Sequence, residues 1–310
     1  MTADSTPRDG GTKKRNTVRR AFRVAYDGRG YAGFQRQPHA RTVEGTLLRA
    51  LAKLEILDRG DGPTHATPPE YAAAGRTDAG VSAVAQTIAF EAPEWLTPRA
   101  FNGRLPGSVR VWAAADVPDG FHATHDAIRR TYRYHLYAPS CDESSADEIV
   151  TVGDAVDESR MREALNRLSG KHDFHNLTSD ETGTVRDITA SATRFGDLLV
   201  IEVTAGGFPR ALVRRLVAAA RAVGRGTAEL ASIDRLLRPE PVPGEHGVGP
   251  ASAEPLVLWD VAYEGVTFTV DTEAVDSARV AFGEQHRELR HAVATTGAIR
   301  DRLTEMRERG

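Results

Sequence analysis

Cysteine is nearly missing from this 310-residue chain: Cys141 stands alone. An intrachain disulfide is therefore impossible, and a zinc site built on cysteines is excluded. Long apolar runs are missing too. No stretch approaches the roughly 20 residues that a membrane-spanning helix requires. The first sixteen residues, MTADSTPRDGGTKKRN, contain no apolar core of the kind a secretory signal needs, so the cytosol is the expected compartment. A large charge of one sign is also lacking. The net charge is -3, which argues against a protein that coats nucleic acid by charge alone but leaves room for local basic surfaces. Lysine is scarce: Lys13, Lys14, Lys53 and Lys171 are the whole set, so the basic residues are almost all arginine. Arginine suits forked contacts to phosphate and stacking on bases. Codon bias is the plain reading of the imbalance.

What remains is an ordinary globular composition, 40% hydrophobic and 27% charged, enough for one large or two modest domains. Residues 1–18 read as a disordered basic tail. A strand fits 21–26. A helix fits 43–57, with Thr42 as its N-cap and leucines 47, 48, 51 and 54 at helical spacing. Residues 58–70 read as a Gly/Pro-rich loop. Strands fit 86–91 and 108–117. Residues 129–138, RRTYRYHLYA, read as an aromatic strand, with Tyr132, Tyr134 and Leu136 on one face and Arg133, His135 and Tyr137 on the other. An acidic loop fills 139–157. A helix fits 158–168, and strands fit 185–194 and 198–205. Residues 208–224 read as a helix with Arg210, Arg214, Arg221 and Arg225 along one side. A further helix (228–237), a strand (255–263) and a charged helical extension from 271 to 308 complete the chain. Elements alternate irregularly, which points to an α+β fold.

Gly28, Gly30 and Gly33 spell the glycine pattern of a dinucleotide-binding loop. That motif needs a helix opening directly from the glycines. Here the helix waits until residue 43, so the glycines read as a turn that lets the backbone pass close to something bulky. His122 with His125 and His172 with His175 form two i,i+3 pairs, but no cysteine supports a metal site there.

The segment AAAGRTDAGVSA, residues 72–83, is built of small side chains around one arginine, Arg76, and one carboxylate, Asp78. Small neighbours let a large substrate approach the backbone. Taken alone, Asp78 is more naturally a turn or capping residue. GRTDAGVSA, however, resembles the signature of the tRNA pseudouridine synthase A (TruA) family, usually written GRTDAGVHA. The resemblance extends along the chain. Tyr26-Asp-Gly with Tyr31, Gly33, Gln35 and Gln37 is similar to the family's N-terminal block, and Thr42-Val-Glu-Gly45 follows it. Phe101-Asn102, Leu105-Pro106, Phe121-His-Ala123, Tyr132-Arg-Tyr134, His172-Asp-Phe174, Arg186-x-Ile188 and Phe208-x-x-x-Leu-Val-Arg214 match later blocks in order, from about residue 21 to 264.

The resemblance implies an enzyme that isomerises uridine to pseudouridine at positions 38, 39 and 40 of the tRNA anticodon stem-loop. It implies Asp78 as nucleophile or base, needing no cofactor and no metal. It places Arg214 as the cation beside Asp78, Arg76 as the residue that extrudes the target or holds its phosphate, and Tyr132 as the substrate-binding tyrosine. It implies two ferredoxin-like halves (19–120 and 121–265) sharing a mixed, mainly antiparallel sheet, with a central cleft and a helical extension at 266–310. It also implies a homodimer acting on tRNA. Arg129, Arg130, Arg133, Arg210 and Arg221 are further candidates for phosphate contacts. Ser82 departs from the pattern, because the family usually has histidine there. A non-catalytic RNA-binding protein on the same scaffold is the alternative reading.

Overall fold

In a computed structural model, residues 17–57, 67–139, 155–244 and 247–309 are described. The expected tail before residue 17, most of the 58–70 loop and most of the acidic 139–157 loop, including Cys141, lie outside the described residues.

The described residues build ten strands into one sheet. Strands β1 (Thr17–Tyr26), β2 (Ala72–Ala73), β3 (Ser82–Pro93) and β4 (Val109–Asp116) form the first half, with helices α1 (Val43–Lys53) and α2 (Pro98–Asn102) between them. Strands β5 (Ala127–Tyr137), β6 (Gly170–Asp173), β7 (Val185–Phe195), β8 (Leu198–Ala205) and β9 (Leu256–Tyr263) form the second, with α3 (Glu158–Leu168), α4 (Leu212–Gly224) and α5 (Ala231–Leu236). β10 (Thr269–Val270) and the long helix α6 (Thr272–Glu308) follow. The main path runs β10-β4-β1-β3-β9-β5-β8-β7-β6, with β2 on β3. Each half thus shows the ferredoxin-like order, β4-β1-β3-β2 and β9-β5-β8-β7. Among the described residues every strand pairing is antiparallel except one. β3 meets β9 in parallel through Ser82 with Val257 and Ala83 with Leu258, and this short contact joins the halves.

Local signals explain the elements. Thr42 caps α1 by accepting from the Gly45 N–H, and Leu47, Leu48 and Leu51 face the core. α1 is shorter than the leucine spacing predicts. It stops at Lys53, and Glu55 beyond it has a positive φ of 58°. β1 begins at Thr17, inside the charged cluster expected to be tail, because Arg19 turns inward. Its guanidinium donates to the Phe121 and Glu70 carbonyls. β5 follows its alternation: Tyr132, Tyr134 and Leu136 are buried and Tyr137 is exposed. The α4 helix begins at Leu212, four residues later than expected. Ala211 sits in the left-handed region (φ 56°) and breaks the helical path, so Phe208 and Arg210 lie in the preceding turn. Arg210 therefore leaves the expected arginine stripe. β6, β10 and the pairing of β2 carry too few residues to show in the sequence pattern.

The three-glycine segment is a short 3-10 turn at Gly28–Gly30 leading to Tyr31. The bulky object it passes is the protein itself. A Cβ on Gly28 would lie 2.1 Å from the Val81 carbonyl oxygen, and Gly33 has φ +98° beside the Thr77 carbonyl. Both glycines are therefore required where the turn lies against the Asp78 loop. Ser82 takes part in this contact, its Oγ accepting from the Gly28 N–H at 3.0 Å. Gly28→Ala is expected to destabilise the protein by about 1–3 kcal/mol, since backbone must move on both sides. Thermal unfolding checks this; an unchanged midpoint would show that the turn is free to retreat.

Candidate active site

The Asp78 loop is held by its backbone. Thr77 offers its carbonyl to the Phe34 N–H (3.0 Å) and its hydroxyl to the buried Tyr26 hydroxyl (2.8 Å). The Gly80 N–H donates to the Tyr31 carbonyl, and the Val81 N–H donates to the Asp78 carbonyl. Gln86 on β3 donates to the Gly75 carbonyl at 2.7 Å. The Asp78 side chain makes none of these clamps. Its carboxylate is 42% exposed and has one charged partner, the Nη1 of Arg214 at 3.0 Å. The two residues are 136 positions apart in sequence.

Arg214 is itself aimed. Its side chain is 17% exposed, and its Nε donates to the Ala251 carbonyl at 2.6 Å. The Ala251 N–H returns a bond to the Arg214 carbonyl. One guanidinium fork thus holds the 247–255 segment and the carboxylate together, a task that a lysine ammonium cannot share in the same geometry.

Tyr132 lies on the buried face of β5, 9% exposed, with the Phe208 ring edge-on at 5.3 Å. A bulge helps to aim it. The β5–β9 register slips between Thr131 and Tyr132, leaving Trp259 unpaired. Burial pushes the Tyr132 phenol up to about 12; Arg130 opposes the shift and Asp78 adds to it. Tyr134 shares the face, and burial also raises its phenol, against the pull of Arg221 and Arg214. Arg76 is exposed and makes no hydrogen bond or ion pair with the described residues. Asp78, Arg214 and Tyr132 therefore gather at one place, with Arg76 on the same loop and open to solvent.

Two arginines expected to contact phosphate have partners within the protein. Arg130 is buried and donates to the carbonyls of Ala74 (3.1 and 2.7 Å), Thr124 (2.7 Å) and Gly206 (2.6 Å). It braces the start of the Asp78 loop. Its even number in β5 places it on the Tyr132 face, and a cation on an apolar face was the available signal. Arg133 pairs with Glu202 at 2.8 Å and stacks on Trp259. Arg129 and Arg210 are exposed. Of the histidine pairs, the His122 and His125 rings meet in a tilted contact at 4.1 Å, while His172 bonds the Ser169 carbonyl. Among the described residues no group of three metal-ligating side chains gathers, and no helix is long and apolar enough to cross a membrane.

A second feature lies between α1 and the turn after α2. A groove of about 650 Å³ is lined by Arg41, Arg49, Lys53 and Arg104, with no carboxylate among its lining residues. Arg41 stacks on the Tyr31 ring at 4.6 Å, and the Tyr31 carbonyl accepts from Gly80. Sequence reading missed this groove, because α1 supplies Arg49 and Lys53 while the turn after α2 supplies Arg104.

Known proteins resemble the chain over nearly its whole length. The tRNA pseudouridine synthase A of Haloarcula marismortui is 54% identical over 286 residues, covering 92% of this chain and 99% of that protein. The chain belongs to the tRNA pseudouridine synthase A family. The Natronomonas pharaonis member is also 54% identical, covering 90% of this chain and 98% of its own. The Thermococcus kodakarensis member is 36% identical over 269 residues, 84% of this chain and 90% of its own. A family model described as tRNA pseudouridine synthase matches residues 164–264, which include Arg214 and the α4 helix. Membership of this family makes the chain an isomerase.

The phenols give a pH prediction. Tyr132 and Tyr263 are both pushed up to about 12, chiefly by burial. An unfolded tyrosine ionises near 10, so the fold holds these protons more tightly. Their stabilising contribution is complete below pH ~10 and is lost as the pH rises towards ~12. Denaturant unfolding across that window should show stability falling with pH, with a shallower fall in Tyr132→Phe. An unchanged slope in that variant would place the effect elsewhere.

Proposed function

We propose that Asp78 is the catalytic carboxylate of a tRNA pseudouridine synthase acting in the anticodon stem-loop, at positions 38, 39 and 40. The observation that carries this reading is the Asp78–Arg214 pair at 3.0 Å, beside buried Tyr132. The reaction breaks the N1–C1′ bond of uridine, turns the uracil and rejoins it through C5, while one proton passes from C5 to N1. Nothing is added or removed, so no cofactor is required. A carboxylate serves either as nucleophile at C1′ or as base at the 2′ position, and both routes need it ionised. The guanidinium of Arg214 favours that form and fixes its direction.

The target base must leave its stack to reach Asp78. Tyr132, held edge-on by Phe208, is the platform that receives it. Arg76, exposed on the same loop, meets the displaced RNA or its phosphate. The catalytic loop belongs to a half comprising 19–120, and its two partners to a half comprising 121–265, so the cleft between the halves is the site. The cationic groove at Arg41, Arg49, Lys53 and Arg104 extends the contact to the RNA backbone. We also read the enzyme as a cytoplasmic homodimer, as the family resemblance implies.

Asp78→Asn should reduce turnover by at least about 1000-fold with unchanged circular dichroism, the scale expected when a reacting group is removed. Carbodiimide mapping of pseudouridine in a deletion strain should find positions 38–40 unmodified, and restored by the wild type alone. Persistent modification at those positions would refute the substrate assignment. Restoration by Asp78→Asn would refute the assigned residue. Arg49→Glu combined with Arg104→Glu should raise KM about tenfold or more, leave kcat unchanged and reduce the salt dependence of tRNA binding by about two counterions. Unchanged salt dependence would remove the groove from the RNA path.

A further inference from the structure

The helix α6 runs 37 residues, and its buried apolar residues, Ala274 and Ala278, lie in the first two turns. Ala274 and Ala278 are buried against β4 and α2, and Asp271 caps the helix by accepting from Ala274. Beyond them an apolar stripe lies open: Ile299 is 57% exposed, Leu303 62% and Met306 58%. A monomer does not ordinarily leave such a stripe in water. The spacing of the stripe is strict. Phe282, Leu289, Thr296 and Leu303 recur every seven residues, and Gln285, Ala292, Ile299 and Met306 recur three residues after each. This is the 3.5-residue repeat of a coiled-coil seam.

We infer that α6 pairs antiparallel with α6 of a second copy of this chain, along the seam from Phe282 to Met306. The inference rests on the homodimer reading above and names its surface. Three observations favour this occupant. First, α6 carries seven acidic residues against six arginines, so it is not an RNA clamp. Second, the free length fits a copy of itself. Antiparallel pairing about an axis near Ala294 stacks Phe282 on Met306, Gln285 on Leu303, Leu289 on Ile299 and Ala292 on Thr296. The seam is about 36 Å long and ends where the anchored turns begin.

Third, charge selects the direction. Antiparallel pairing sets Arg302 beside Glu288 of the other copy, twice by symmetry. Glu288 has no ion-pair partner among the described residues, and Arg302 meets Glu305 on its own helix. The opposite flank brings Arg307 towards Arg279 of the other copy, whose charge Asp276 offsets at 3.7 Å. Parallel pairing sets Arg302 against Arg307 and leaves Glu288 facing Val293, with no attraction to compensate. A self-complementary surface of this kind closes as a two-fold dimer.

The test uses the full chain with Cys141→Ser. Val293→Cys lies beside the proposed axis, and a short bismaleimide should cross-link it to its own copy. Met306→Cys should not cross-link, because the two copies of residue 306 lie at opposite ends of the seam. Adding Leu303→Glu to Val293→Cys should reduce the cross-linked yield by about tenfold, since two carboxylates enter the seam. Light scattering on the wild type at micromolar concentration reads the mass. A monomer overturns both the homodimer reading and this surface. A dimer in which Val293→Cys fails to cross-link, or in which Met306→Cys does cross-link, overturns the surface alone.

Discussion

The β3–β9 contact governs the arrangement of everything else. Two residue pairs, Ser82 with Val257 and Ala83 with Leu258, are the parallel junction between two otherwise antiparallel ferredoxin-like units. Asp78 lies four residues before Ser82, and Ala251 lies a few residues before β9. The junction therefore brings the Asp78 loop alongside the 247–255 segment and the helix behind it. Arg214 closes that gap with one guanidinium, bonded to Ala251 on one side and Asp78 on the other. Without the junction the carboxylate would lose its partner Arg214, which comes from 136 residues away.

The loop is rigid because its backbone bonds are satisfied by parts distant in sequence. Thr77 is gripped by Tyr26 and Phe34, Gly75 by Gln86, and Ala74 by Arg130. Small side chains make this possible. Gly28 and Gly33 admit the neighbouring turn, and Ser82 takes a bond from it. The serine that departs from the family pattern thus has a structural occupation here. The Asp78 carboxylate takes no part in these backbone clamps and is held instead by Arg214.

Arginine abundance also gains a structural meaning. Arg19, Arg23 and Arg130 are buried, and each directs its fork at several carbonyls on separate segments. Arg23 reaches Ala85 and Val261 while lying over the Phe268 ring. Burial lowers the Arg19 and Arg23 guanidinium affinities for a proton, opposed by Glu91 and Asp260 respectively. A planar fork with five donors satisfies such sites, and lysine cannot. Charge that looks like an RNA-binding surface in the sequence is partly interior bracing in the fold.

The periodic elements were legible in the chain itself. The alternation in β5, the capped start of α1 and the limits of α3 follow from side-chain spacing, which acts over a few residues. The small-residue loop with its single carboxylate, and the matched blocks around it, identified Asp78, Arg76, Tyr132 and Arg214 as the residues to watch. Tertiary structure alone decided how they meet. The 3.0 Å contact across 136 residues, the left-handed Ala211 that shortens α4 and removes Arg210 from its stripe, the inward turn of Arg130 and the groove shared by α1 and the turn after α2 all depend on long-range sheet pairing. Local sequence sets which face a side chain takes on its own element, but only strand register sets which faces confront each other.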